Sequence, residues 1–145
     1  MKTRSGFVSN SSSTSYIVIG NKKRKYSFVN THLESGGVLI VDNNLGQDEF
    51  AWGSEIINDM GSRIIFSYLI AQYNNNNDWI EMLENTILDN TMATKIEWVV
   101  SIEKDSYIDH QSHECSANTE MFKSKGTLAS FIFDQDSKII LDSNG

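Results

Sequence analysis

The sequence predicts a single α+β domain over residues 1–145, in which an antiparallel sheet carries two consecutive helices packed on one face. Short apolar runs typical of strands lie towards both ends of the chain, and apolar residues recur every three to four residues in the middle. This order also lacks the repeated alternation of strands and helices that a doubly wound fold requires. The chain has 145 residues, 39% of them hydrophobic, which is enough for one core. We expect the serine-rich residues 1–15 to form a polar N-terminal arm.

The first part of the chain predicts three strands. Residues 16–19 and 26–30 are short runs rich in β-branched and aromatic residues, and the polar segment between them predicts a hairpin. The connection carries a basic run at 22–25, which fits a localisation or nucleic-acid signal and fits a solvated turn equally well. Residues 38–41 follow two glycines and predict the third strand.

The middle of the chain predicts two helices. Apolar residues over 54–73 recur at helical spacing, and Ser54 is placed to cap the N-terminus of this helix. Four consecutive asparagines at 74–77 end it. The second helix is predicted over 78–90, because its first residue and the glutamate three residues later have the spacing of a capping box.

The last part of the chain predicts three more strands. Residues 95–103 alternate between apolar and polar side chains, which is typical of a half-buried strand. Residues 131–133 and 139–141 are apolar runs joined by a polar connector, and this arrangement predicts a hairpin near the end of the chain.

Charge is distributed unevenly along the chain. Residues 1–33 hold six bases and no acid, whereas residues 34–145 hold six bases and 19 acids, so that +6 and −13 give the net charge of −7. An acidic body repels nucleic acid directly and favours a basic protein partner, including one that normally binds nucleic acid. The acids predicted on the second helix are candidate partner-binding residues that could imitate phosphates, with a solvated face as the alternative: Asp78, Glu81, Glu84 and Asp89.

Several classes of protein are excluded by the sequence. A single cysteine, Cys115, cannot form a disulfide scaffold, and no apolar stretch approaches the roughly 20 residues that span a bilayer. The N-terminal residues lack the apolar region of a signal peptide. We therefore expect a cytoplasmic protein that does not bind membranes.

One polar segment concentrates residue types that bind metals or transfer protons. Asp109, His110, His113 and Glu114 are the candidate catalytic residues, with His110 and His113 as ligands of a divalent metal and Glu114 as general base. The zincin spacing of histidines is absent, and a third ligand would have to come from elsewhere, such as His32, Asp142 or another acid. A polar loop after a strand is the alternative, so we rank catalysis below binding.

The opening residues resemble those of a known group of proteins. The segment GFVSNSSS at residues 6–13 resembles the start shared by a family of uncharacterised proteins from tailed phages and some bacteria. The segment YIDHQS at 107–112 and the end of the chain from 131 are similar to members of the phage group, although the family usually ends closer to Asn-Asp-Asn. The resemblance implies a small accessory protein that acts inside an infected bacterium.

The sequence thus favours a binding function over an enzymatic one. The leading hypothesis is a small acidic accessory protein that binds and modulates a host protein, for example a defence or nucleic-acid-handling factor. The alternative is a small metal-dependent hydrolase or nuclease that uses the segment from Asp109 to Glu114.

Overall fold

The computed structural model describes residues 12–20, 28–50, 54–102, 108 and 116–144. The fold is α+β, with two three-stranded sheets and with the consecutive helices α1 and α2 packed together. The strands are β1 (Ser12–Val18), β2 (Leu33–Glu34), β3 (Val38–Val41), β4 (Ser54–Ile57), β5 (Lys95–Trp98) and β6 (Lys138–Asn144). The longer helices are α1 (Met60–Tyr73), α2 (Asn77–Asn90) and α3 (Lys125–Phe133). Shorter helical segments are Phe28–His32, Ser35–Gly37, Ser116–Thr119 and Glu120–Lys123.

The first sheet is antiparallel and has the strand order β1, β6, β4. Because cross-strand partners lie on the same face, Ile57 and Ile139 share a row with the half-buried Ile17 on the face that packs against the core. The opposite face carries a second row, Tyr16, Ile140 and Ile56, which is defined below as the outer row.

The second sheet is mixed and has the order β2, β3, β5. β2 is antiparallel to β3, but β3 is parallel to β5. The chain between β3 and β5 contains both α1 and α2, and a crossover of this length is what a parallel pair requires. The α+β class and the paired helices predicted from the sequence are confirmed, while this sheet is not purely antiparallel.

Three strand predictions in the first part of the chain have different outcomes. The strand at 38–41 is confirmed, and the one at 16–19 belongs to β1, which begins at Ser12, within the predicted polar arm. Within the predicted strand at 26–30, the described residues 28–30 lie in a 3-10 helix, so the prediction is wrong there. Residues 1–11 and the segment 21–27, with its basic run, lie outside the described residues.

The first predicted helix begins later than the sequence indicated. Residues 54–57 form β4, because they pair with β6, and α1 begins at Met60. The cap is Asp59, whose side chain accepts a hydrogen bond from the backbone N–H of Ser62 at 2.9 Å, so the prediction for Ser54 is wrong.

Two later strand predictions also need correction. Residues 131–133 form the last turn of α3, which is capped by Ser124 through a bond to the backbone N–H of Thr127. β5 stops at Trp98 rather than continuing to 103, because the N–H groups of Val99 and Val100 both donate to the last carbonyl of β3, at Val41. The strand at 139–141 is confirmed within β6.

α1 lies at the centre of the core. All residues from Gly61 to Ala71 are buried, so this helix is covered on every side rather than along one stripe. Its first turn is held against the loop after β3, where the backbone N–H of Gln47 donates to the Ser62 hydroxyl at 2.9 Å. Gly46 and Gly61 permit this contact, because a Cβ on either residue would overlap backbone atoms of the other segment.

A buried arginine joins α1 to the end of α3. The guanidinium of Arg63, which is 3% exposed, donates to the carbonyl oxygens of Phe131 at 3.0 Å and Asp134 at 2.6 Å. It also donates to the carbonyl of Asn58 at 3.3 Å, in the turn after β4. One side chain therefore contacts three separate parts of the backbone.

We predict that Gly61→Ala lowers the free energy of unfolding by about 3 kcal/mol, because the added methyl would overlap the carbonyl oxygen of Leu45 and force the loop away from α1. The matched control is Gly126→Ala in α3, where a Cβ would meet nothing closer than the Ser124 hydroxyl oxygen at 3.7 Å. This control should gain about 0.5–1 kcal/mol from helix propensity. Urea unfolding of both variants measures the difference, and equal stabilities would contradict the proposed contact.

Candidate functional site

α2 carries the acids that the sequence selected as partner-binding residues. The helix begins at Asn77 and is capped by Asn76, whose side-chain oxygen accepts a hydrogen bond from the backbone N–H of Trp79 at 3.1 Å. The predicted capping box beginning at Asp78 is therefore wrong. Asp78 lies one residue inside the first turn, where its negative charge interacts favourably with the helix dipole.

Three of the four acids lie on one exposed face of α2, which we call the acidic face: Asp78, Glu81 and Asp89. Asp89 forms an ion pair with Lys125 at the start of α3. Both side chains of this pair are exposed, and such surface pairs contribute at most about 1 kcal/mol. Among the described residues, Asp78 and Glu81 form no ion pair, so their charges face solvent.

Glu84 lies beside the acidic face, about 60° around the helix from Glu81. At 100° per residue it lies about 120° around the helix from Asp78. Its carboxylate accepts a hydrogen bond of 2.6 Å from the indole Nε1 of Trp98, at the end of β5. The Trp98 ring stacks on Tyr68 of α1, with ring centroids 4.0 Å apart and planes 1° from parallel. Glu84 thus connects α2 to β5, and its side chain is half-buried.

The environment of Tyr68 shifts its ionisation. Burial raises the pKa of the Tyr68 phenol, and the nearby negative charge of Glu84 raises this pKa further. The hydroxyl oxygen accepts a hydrogen bond from Gln72 Nε2 at 3.1 Å, and Gln72 Oε1 in turn accepts from the backbone N–H of Ile102 at 3.2 Å. These contacts hold the chain that leaves β5 against α1.

The spacing of acids on α2 is wider than that of phosphates in DNA. Asp78 and Asp89 are separated by about 16 Å along the helix axis. One DNA strand carries about five phosphates over that length, whereas the acidic face carries three carboxylates, one of them paired. Detailed imitation of a nucleic-acid strand would therefore need acids from outside α2.

The candidate metal segment lies outside the described residues. Asp109, His110, His113 and Glu114 fall between Ile108, which is buried, and the exposed Ser116. Across the described parts of the chain, no group of three His, Cys, Asp or Glu side chains is close enough to hold a metal ion. His32, one ligand suggested from elsewhere in the chain, lies in the 3-10 helix Phe28–His32, where its Nδ1 is 3.2 Å from the hydroxyl of Thr31.

The two edges of the antiparallel sheet differ, and no motif in the sequence indicates this difference. Along the β1 edge, Asn118 is fully buried and its side-chain amide bonds the strand backbone on both sides of Tyr16. The Nδ2 group donates to the carbonyl of Ser15 at 2.8 Å, and Oδ1 accepts from the N–H of Ile17 at 3.0 Å. No comparable side chain bonds the β4 edge within the described ranges.

Comparison with known proteins finds no matching protein family, no matching curated protein and no matching solved structure. In the part of the chain that the structure describes, no helix has the length and apolar character needed to cross a bilayer.

We predict that Glu84→Gln lowers the pKa of Tyr68 but leaves it above that of an exposed tyrosine, because burial is the larger cause of the shift. Glutamine keeps an oxygen that can accept from Trp98, so packing should persist. The phenol titration is measured by NMR of the tyrosine rings, with Tyr68→Phe to assign the signal. Glu81→Gln, on the acidic face, is the matched control and should leave this pKa unchanged.

The same shift sets a pH dependence of stability. Because the pKa of Tyr68 is raised in the folded state, its contribution to stability is complete below the unfolded-state pKa of about 10. That contribution is lost as the pH rises through the folded-state pKa. Tyr68→Phe should therefore lose less stability than the parent protein above pH about 10. Equal alkaline losses in the two proteins would contradict this assignment.

Proposed function

We propose that this protein is a small acidic binding protein whose acidic face contacts a basic surface of a host protein. The observation that carries the proposal is the acidic face itself, where Asp78 and Glu81 are exposed and unpaired among the described residues. The opening segment, which resembles phage proteins, supports a role inside an infected bacterium. On this proposal the target is a host defence or nucleic-acid-handling factor.

The net negative charge of the described residues supports the proposal that the partner is basic. They contain 15 acids and five Lys or Arg residues, so that 5 − 15 gives −10 for this part of the chain. One of the five bases, Arg63, is buried and does not offset the surface charge locally. A surface of this kind accelerates encounter with a basic partner and slows encounter with nucleic acid, both in a salt-dependent manner.

Binding is proposed to be electrostatic at the acidic face, with nucleic-acid mimicry as its finer form. Since α2 alone carries fewer charges than a nucleic-acid strand of the same length, mimicry would use acids on neighbouring elements as well. Metal-dependent hydrolysis by Asp109 to Glu114 stays a prediction from the sequence alone. The metal content of the purified protein tests that prediction.

We predict that the immobilised protein retains a basic protein from bacterial lysate at about 0.1 M salt and releases it near 1 M, where screening shortens the Debye length to about 3 Å. The double variant Asp78→Asn, Glu81→Gln should retain at least about tenfold less of that protein, because both unpaired charges of the acidic face are lost. The retained protein is identified and quantified by mass spectrometry.

The matched control for this experiment is Glu34→Gln, Glu97→Gln. These two residues are exposed acids on β2 and β5, so the control makes the same change in net charge away from α2. If both double variants reduce retention equally, net charge and not the acidic face determines binding. If no protein is retained at either salt concentration, the proposed function is wrong.

A further inference from the structure

Among the residues that the structure describes, the antiparallel sheet has one edge closed by a side chain and one edge without a covering group. Asn118 bonds the outward N–H of Ile17 and the outward carbonyl of Ser15, so its amide takes the place of a neighbouring strand along β1. Unpaired strand edges promote association, and proteins protect them with charges, prolines, bulges or covering segments. β4, at the opposite edge, has no such cover among the described residues.

The outward groups of β4 follow from the pairing register. In an antiparallel ladder the N–H and C=O of one residue point to the same side, and successive residues alternate. The backbone groups of Ser15 and Ile17 point away from β6, so the backbone of Tyr16 between them is hydrogen-bonded to Ile140. The next residue of β6, Ile139, therefore directs its backbone groups to the other side of the strand, where they are hydrogen-bonded to Ile57.

Continuing that alternation, Glu55 bonds Leu141, while the N–H and C=O groups of Ser54 and Ile56 point outward from the sheet. These outward groups form the open edge, which we define as the backbone of Ser54 and Ile56.

The side chains along β4 give this edge its chemical character. Ile56 is 62% exposed and ends the outer row, next to Ile140 and Tyr16. Glu55, also exposed, projects on the opposite face of the strand. Just beyond the strand, Asp59 adds another exposed acid. An incoming strand would meet an apolar side chain on one face and a negative charge on the other.

Charge argues against a second copy of this chain at the open edge. Each copy carries a net charge of −7, and pairing centred on Glu55 would place two glutamates directly opposite each other. A basic strand would not be repelled in this way.

We propose that the open edge binds an extended segment of a basic partner, in which aliphatic and basic residues alternate. Backbone groups of the segment pair with Ser54 and Ile56 and extend the sheet by one strand. An aliphatic residue lies beside Ile56 and lengthens the outer row, and the following lysine or arginine lies beside Glu55. This inference rests on the proposed basic partner, but it assigns that partner a second contact, away from the acidic face.

The test uses the full chain labelled with ¹⁵N and a capped peptide of alternating valine and lysine, about six residues long, as a strand of common length. We expect the amide signals of Ser54 and Ile56 to shift on titration. The dissociation constant should rise at least about tenfold in Ile56→Lys, because a lysine there repels the peptide and removes the apolar contact.

Two further variants separate this effect from loss of fold and from net charge. Ile56→Pro removes an outward N–H that the sheet does not use, so the fold is expected to persist while peptide binding falls by a similar factor. Val18→Lys is the matched control, since Val18 is 40% exposed on the same face of the sheet but lies on the closed edge. It should change the dissociation constant by less than about twofold. Circular dichroism checks that each variant is folded.

The outcomes distinguish this inference from the proposed function. If the peptide binds Ile56→Pro as tightly as the parent protein, or if Val18→Lys weakens binding equally, the inference is wrong. If binding is lost only in Asp78→Asn, Glu81→Gln, the open edge is not the site while the acidic face is supported.

If the free protein forms a dimer that Ile56→Lys dissociates, the occupant is a second copy and the inference is overturned. If the edge binds the peptide but lysate yields no basic partner, the proposed function fails and the peptide-binding edge stands.

Discussion

The buried guanidinium of Arg63 constrains the relative positions of the helices and the antiparallel sheet. Its three hydrogen-bonded carbonyls belong to the turn after β4, to the last turn of α3 and to the connection into β6. The carbonyls at the end of a helix have no partner within the helix and carry its negative dipole end, so a buried cation is well suited to them. Because β4 and β6 are neighbours in one sheet, this single side chain fixes α1 and α3 against the antiparallel sheet.

Burying the Arg63 guanidinium costs desolvation free energy, and its hydrogen bonds to the carbonyls offset that cost. Burial lowers the pKa of Arg63 to about 10, while the charges of Asp59 and Asp134 act in the opposite direction. The group therefore stays charged at neutral pH, and its Nε has no hydrogen-bond partner among the described residues. Charge-assisted bonds contribute about 1.5–3 kcal/mol each, which is the scale needed to offset desolvation of a buried cation. Removing the side chain would leave the carbonyls of Asn58 and Phe131 to find other partners, while the carbonyl of Asp134 would keep its hydrogen bond from the N–H of Ser137.

Features set by local sequence were predictable, and those set by distant partners were not. Most of α1 and α2 and the strand Val38–Val41 follow from hydrophobic spacing and from turn residues nearby. Residues 54–57 instead form a strand because β6, more than 80 positions away, lies beside them. The apolar run at 131–133 has strand-like composition but completes a buried helix, and periodicity cannot separate the two for so short a run.

The same distinction applies to the candidate surfaces. Helical spacing identified the acids of α2, yet the orientation of Glu84 toward Trp98 depends on where β5 lies. Asn118 falls in a polar stretch without a motif, and its bonds to β1 join residues about 100 positions apart. A buried amide that closes a sheet edge has no sequence signature, since its role is set entirely by the strand that it meets.

On the functions proposed, the two surfaces would contribute different properties to binding. Charge on the acidic face accelerates encounter with a basic partner but does not select one register, because electrostatic attraction varies slowly with position. Backbone pairing at β4 selects register strongly, since a slip of one residue would place an aliphatic side chain beside Glu55 and a basic one beside Ile56. Closing the β1 edge with Asn118 leaves one described edge of this sheet to accept a strand, so pairing would occur in one place. The acidic face would supply long-range attraction, and the β4 edge would supply a defined register. Together they would give a small protein both fast association and selective binding.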